Sequence, residues 1–314
     1  MSEPTITESH TAANWADAVA DSLEVMQNEI FCVRTRDRFA PLEQGLPIDK
    51  ASTGRLIGPV HIKGVNAGDI VAIEVLSILP RTGRGYLLAS KTYGIFGDSI
   101  ENRVRGVDVT SAEVELTADV QLPYQPMIGK IGLRTHTLTL PLGRQGGALS
   151  TTLLGPGATL LVEAQASGGG LMLEDVHAYM GDGEATASAV EMAAEVRLRC
   201  SVLNLDSVFA GIHTSAGAGA GAGAGAPRAQ ELPMPMLLTH AGVSLFGSAH
   251  STDDALALVT ETMATFIMRQ RNVDRTEAAL LIGAAVHTQV SYLGMRPVVA
   301  RATAPRTLLT KWSK

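Results

Sequence analysis

Five titratable residues crowd one short stretch of this chain. Asp175, His177, Asp182, Glu184 and Glu191 fall within 17 positions, among glycines and largely apolar neighbours. Carboxylate and imidazole side chains gathered beside glycine are what metal binding and proton transfer require. Asp175 and His177 stand two apart, so on a strand they point the same way and offer an oxygen and a nitrogen ligand to one divalent ion. Gly181-Asp182-Gly183-Glu184 reads as a turn whose glycines allow close approach of a substrate to the backbone. Buried, Glu184 would carry a raised pKa and act as general base toward a water at the ion. The plainer reading is a set of turn and surface acids with one satisfied histidine, and the residues alone leave both open.

The elements that must position these groups are mostly strands. Ile30–Arg36, a run opened by Gly58-Pro59 with Val60 and Ile62 on one face, Ile70–Leu79, Val114–Val120, Thr135–Leu140, Thr159–Gln165 and Glu195–Leu203 all have strand character, separated by Gly/Pro turns such as Asn66-Ala67-Gly68-Asp69. The last quarter changes period. Thr252-Asp253-Asp254 caps a segment with Ala255, Val259, Met263, Phe266 and Ile267 at helical spacing. Asp274-x-x-Glu277 resembles a capping box ahead of a second helix over Ala278–Val290. The expected class is α+β: a β-rich, mixed-sheet, sandwich-like core with a C-terminal helical pair. The expected organisation is a polar segment 1–28, a β-rich core 29–206, an Ala/Gly-rich insertion 207–235 and a C-terminal part 236–314 of the same unit. The Ala-Gly alternation at 216–226 reads as a flexible insertion rather than a silk-like strand, because one short copy has nothing to stack against.

Composition excludes several classes. A formal charge of −6 over 314 residues is not a nucleic-acid footprint and does not favour anionic membranes. Neither a signal peptide nor a span-length apolar run is found, and Cys32 and Cys200 are too few for a disulfide framework, so a reducing cytoplasm is expected. No P-loop, dinucleotide-binding glycine pattern or serine elbow occurs. Cys200, with no base beside it in sequence, reads as a buried thiol. Of the scattered histidines, His136 is expected to face solvent and His287 interrupts an apolar helix face, while His10, His61, His213, His240 and His250 read as ordinary surface or core residues.

Several stretches in collinear order resemble the acetamidase/formamidase family. Gly168-Gly169-Gly170-Leu171, Asp175-x-His177, Gly181-Asp182-Gly183-Glu184 and Ala189-x-Glu191-Met192 are similar to its G-D-x-H-x-x-Q-G-D-G-E and A-I-E signature. Gly58-Pro59 through Gly68-Asp69, Trp15 ahead of Thr35-Arg36-Asp37, and Pro126-Met127-Ile128-Gly129-x-Ile131-Gly132 extend the likeness. The resemblance implies a cytoplasmic homo-oligomeric hydrolase of small amides, with a divalent metal, zinc or calcium, at its site. It implies Asp175 and His177 as metal ligands, Glu184 as general acid/base, and Asp182 and Glu191 at or next to the reacting groups. Gly146, Gly147, Met180, Gly181 and Gly183 would line the substrate.

The departures cluster on the same positions. Gly146-Gly147-Ala148-Leu149-Ser150 stands where the family reads G-G-N-x-D, so an amide and a carboxylate are replaced by Ala148 and Ser150. Met180 replaces a glutamine and Glu174 a glycine, and Ala284 and Val286 fall where an Asp and an Arg are usual. Two outcomes are open: an amidohydrolase with a rebuilt pocket, or a site whose metal is lost. The latter would be a lyase, isomerase or cyclase using Glu184 and His177, or a silent binding protein.

Overall fold

Strands form where buried and outward side chains alternate, and the alternation is kept in the pairing. The computed structural model describes residues 3–17, 19–20, 23–45, 55–136, 142–203, 232–294 and 296–309. In Ala194–Val202, Ala194, Val196, Leu198 and Cys200 face the core while Arg197 faces solvent. That strand lies antiparallel between Ile30–Arg34 and Ile70–Pro80. From Thr5–Ile6 beside Ile30–Arg34, the sheet runs on through Thr159–Glu163, Met236–Thr239, Gly242–Ala249 and Val298–Ala304 to His287–Tyr292, giving nine strands among the described residues. A second sheet centres on Leu171–His177, between Met127–Gly132 and Leu56–Ile62. All seven residues of Leu171–His177 are buried, as expected for a strand covered on both faces.

Ile73, Val75, Leu160 and Leu198 of the first sheet share one apolar cluster with Ile57, Val60, Ile128, Ile131 and Leu173 of the second. The two sheets therefore pack face to face, and the expected sandwich-like core is found. Each such side chain contributes roughly 1.5–3 kcal/mol when fully buried. A third sheet of four strands, Arg84–Ala89, Arg103–Val109, Glu113–Thr117 and Val120–Pro123, stands beside them.

The helical pair is Thr252–Arg271 and Arg275–Ala285. Ala255, Val259, Met263, Phe266 and Ile267 form the buried stripe of the longer helix, which packs with Val243, Leu245, Val298 and Ala300. Its cap is Ser251, one residue ahead of the expected Thr252: the Ser251 hydroxyl accepts from the Asp254 N–H at 3.1 Å. Asp274 caps the second helix by accepting from Glu277 N at 2.9 Å.

Three expectations are corrected. The second helix ends at Ala285, not Val290, and His287 begins the strand His287–Tyr292. Thr288 and Val290 are β-branched, and pairing with Val298–Ala304 satisfies their backbone as a strand. Val114–Val120 is not one strand but part of a hairpin that turns at Ala118-Asp119, where Thr117 Oγ1 donates to Asp119 Oδ1 at 2.7 Å. Thr135 and His136 are outside any strand, and the remainder of Thr135–Leu140 lies outside the described residues, as does the Ala-Gly run 216–226. Among the described residues, no helix is long and apolar enough to cross a membrane.

Met263 is fully buried between helix and sheet. Met263→Ala should lower unfolding free energy by about 2–5 kcal/mol, read from denaturant midpoints.

Candidate active site

The end of Leu171–His177 delivers Glu174, Asp175 and His177, all buried, to one place. Asp175 adopts φ +70°, a left-handed conformation that L residues rarely hold. Ser150 (φ +37°) and Glu184 (φ +40°) do the same, and such strain gathers at functional positions. Gly129 makes the space: a Cβ there would lie 2.6 Å from Asp175 Oδ2. The N–H groups of Leu149 and Ser150 donate to the Gly129 carbonyl, which brings the 146–150 segment alongside.

Glu191 arrives from the far side of the glycine turn. It exchanges two backbone hydrogen bonds with Tyr86, of 2.9 and 3.0 Å, and bridges to His177. His177 Nε2 then lies 3.5 Å from Asp175 Oδ1 and 3.3 Å from Glu191 Oε1. Asp175, His177 and Glu191 can each turn one ligand atom to a common ion, with all such atoms within 4.8 Å of one another. Both His177 nitrogens, Glu191 Oε1, Glu184 Oε2 and both Glu174 oxygens are buried without a hydrogen-bond partner. Unpaired buried polar atoms are costly, and two carboxylates with an imidazole suit a borderline divalent cation.

Charge decides how these groups titrate. Burial pushes the Asp175 carboxyl up, but the positive charges of Arg38, Lys130 and His177 outweigh it and hold Asp175 well below the usual range. Glu191 is likewise lowered, against its burial, by Arg38 and His177. Burial lowers His177, yet Glu191 and Asp175 raise it well above an ordinary imidazole. For Glu184 burial wins. Burial, joined by the charges of Asp175 and Glu191 and opposed by His177 and Ser150, pushes it up to about 7. Burial also raises Glu174.

Asp182 stands apart from this group. Its carboxylate, about one-third exposed, takes a two-pronged bond from Arg301, 2.7 Å on each side, and another from Thr152 at 3.0 Å. Although burial raises it, Arg301 brings Asp182 below its ordinary value. The turn Gly181–Glu184 is thereby anchored to the strand Val298–Ala304, where Arg301 is itself buried. Gly183 N–H donates to Ser291 O at 3.2 Å. Gly181 is exposed, and Met180 packs with Met127 and Ala189. Gly146 and Gly147 are buried between Leu142–Gly143 and Met127–Gly132.

Four participants were missed by sequence reasoning. Arg38 Nη2 bonds to Asp175 Oδ1 and, at 2.7 Å, to Glu191 Oε2. Lys130 Nζ is 3.5 Å from Asp175 Oδ2. Arg301 holds Asp182, and Glu174 was noticed only as a departure. A buried strand interrupted by one arginine was the available signal for Arg301, in Val298-Val299-Ala300-Arg301-Ala302. The other described histidines lie elsewhere: His61 is 3.9 Å from Glu24, His136 Nε2 shares a 2.7 Å bond with Gln165 O, and His287 is exposed, while His213 is outside the described residues. Cys200 is buried and unpaired in a disulfide, and burial pushes its thiol up.

Arg301→Met would leave the Asp182 carboxylate without its charged partner. Stability should fall by about 2–4 kcal/mol, less than for a fully buried pair because Asp182 is partly solvated. Chemical unfolding of the folded variant measures it.

A family model for the acetamidase/formamidase family matches residues 113–292, more than half of the chain. No curated protein matches the sequence significantly. Among solved structures, an acetamidase from Bacillus halodurans superposes with a TM-score of 0.84 at 24% identity, covering 99% of this chain and 100% of that one. A predicted acetamidase/formamidase from Thermoanaerobacter tengcongensis gives 0.80 at 23% identity, over 99% and 98% of the two chains. An acetamidase from Yersinia enterocolitica gives 0.79 at 20%, over 98% and 94%. At these identities the three show a shared fold.

Proposed function

This chain belongs to the acetamidase/formamidase family, and on that premise we propose that it hydrolyses the C–N bond of a small amide-like substrate with the help of a divalent metal ion, releasing ammonia or an amine. The observation that carries this reading is the buried Asp175-His177-Glu191 group, in which both His177 nitrogens and Glu191 Oε1 lack a hydrogen-bond partner, beside a glutamate whose pKa is near neutral. A cation held there would polarise the amide carbonyl and make water more acidic.

The remaining work falls to the chain's own groups. Glu184, poised at about 7, takes the proton of the attacking water on its carboxylate and returns it to the departing nitrogen. Desolvation keeps that carboxyl basic enough to accept, and the positive charge of His177, or of an ion that His177 binds as the neutral imidazole, keeps it acidic enough to give the proton back. Asp175 and Glu191 stay ionised and, with His177, serve as ligands. Glu191 therefore takes the role of ligand, and Asp182 that of anchoring the turn through Arg301. The substrate lies against Met180, Gly181 and Gly183 on the turn that carries Glu184, with Gly146 and Gly147 ahead of Ser150 completing the wall. Ser150, with no ionisable group, places its hydroxyl against Glu184 and not a third carboxylate near the ion. We further propose a cytoplasmic homo-oligomer, in keeping with the composition and the family.

Ammonia release from formamide, acetamide and larger primary amides tests this function. Glu184→Gln keeps shape and removes the base, so kcat should fall roughly 10²–10⁴-fold with the fold intact. Full activity in a folded Glu184→Gln protein would refute the base assignment. The pH profile has a stated sign. Glu184 must be ionised to accept a proton, so kcat/KM should fall as pH drops through an apparent pKa at or below about 7, a bound cation moving the limb lower. A flat profile from pH 5 to 8 would contradict it.

A further inference from the structure

Arg38 occupies ground that a metal ion also needs. Its Nη2 bonds to both Asp175 Oδ1 and Glu191 Oε2, and its Nη1 is 3.8 Å from Glu174 Oε2. Asp175 Oδ1 is also the oxygen that lies 3.5 Å from His177 Nε2. A guanidinium and an ion on Asp175, His177 and Glu191 would therefore share two carboxylates. The placement is built. Asp37 accepts from Ala193 N at 2.6 Å and from Thr82 at 3.2 Å, and Thr35 and Ala194 exchange backbone and side-chain bonds. These contacts fix the backbone up to Arg38, whose guanidinium then sits 5.3 Å over the Phe39 ring. Glu174, which stands where the resembling signature has glycine, supplies a carboxylate that the arginine also faces.

We propose that Arg38 is a built-in counter-cation: it holds Asp175 and Glu191 together when no ion is bound, competes with the ion for them, and so weakens metal affinity while stabilising the metal-free protein. Two positive charges on one pair of buried carboxylates repel each other with little screening. Without Arg38, the metal-free site is left with uncompensated buried carboxylates. An ion that binds only the folded protein then stabilises it by more, the tighter it binds. Arg38 is on this view a positioning residue that acts through Asp175 and Glu191. The inference rests on reading Asp175, His177 and Glu191 as metal ligands.

The test uses the full chain stripped with chelator, as wild type, Arg38→Met and Arg38→Lys. Zinc and calcium are added separately, affinity is followed by titration calorimetry, and thermal unfolding is recorded with and without ion. Arg38→Met should bind the ion roughly 10- to 100-fold more tightly than wild type. It should melt at a lower temperature when metal-free and show a larger rise in Tm on adding the ion. Arg38→Lys keeps the charge but loses the fork that spans both carboxylates, so it should fall between the two. If Arg38→Met does not fold in either state, Arg38→Lys decides. Wild type that binds the ion, with a folded variant that binds it no more tightly, overturns the role of Arg38 and leaves the metal reading standing. Failure of all three proteins to bind either ion overturns both.

Discussion

Mutual neutralisation of buried charge at the end of Leu171–His177 is the constraint to which the surrounding structure answers. Glu174, Asp175, Glu184 and Glu191 are buried within reach of three positive or protonatable groups, Arg38, Lys130 and His177. Carboxylates packed this closely cannot all ionise without cations among them. The arrangement divides them. Asp175 and Glu191, in contact with Arg38 and His177, are held as anions. Glu184, where burial and the neighbouring carboxylates outweigh His177 and Ser150, titrates near neutrality. One cluster thus holds two carboxylates ionised and a third near neutrality, because their surroundings push them apart.

The fold serves this separation. A strand buried on both faces brings Asp175 and His177 into a dry interior, and Gly129 leaves the gap in the neighbouring strand that the Asp175 side chain fills. The glycine turn brings Glu184 back over the same spot, and Arg301 fixes that turn from a strand of the other sheet. The C-terminal helices take no direct part. They cover the opposite face of the strand that carries Arg301, packing with Val298, Ala300, Ala302 and Ala304.

Much of this was legible in the sequence, for physical reasons that differ by residue. Asp175 and His177 were legible because a two-residue spacing has one meaning on a strand. Glu184 was legible because glycines flank the turn before it. The helical stripe from Ala255 to Ile267 was legible because its period is 3.6. Arg38 was not: its partners lie 137 and 153 residues away, and no local pattern encodes a pairing across that distance. The order of strands in the nine-stranded sheet was closed to sequence reasoning for the same reason. The end of the second helix was misplaced because Ala278–Val290 is apolar enough for either state, and its pairing with Val298–Ala304 decides. Ser150 and Glu174 were visible as departures, but what they meant required knowing that Ser150 sits beside Glu184 and Glu174 beside Arg38.

The central claim is that Asp175, His177 and Glu191 hold one divalent ion. Elemental analysis of the purified chain, with His177→Ala beside it, tests this most directly. The account predicts about one tightly held zinc or calcium per wild-type chain and little in the variant, since losing one of three ligands removes most of the affinity. Wild-type protein that holds no ion even after metal is added back, or a His177→Ala protein that holds as much, would contradict it.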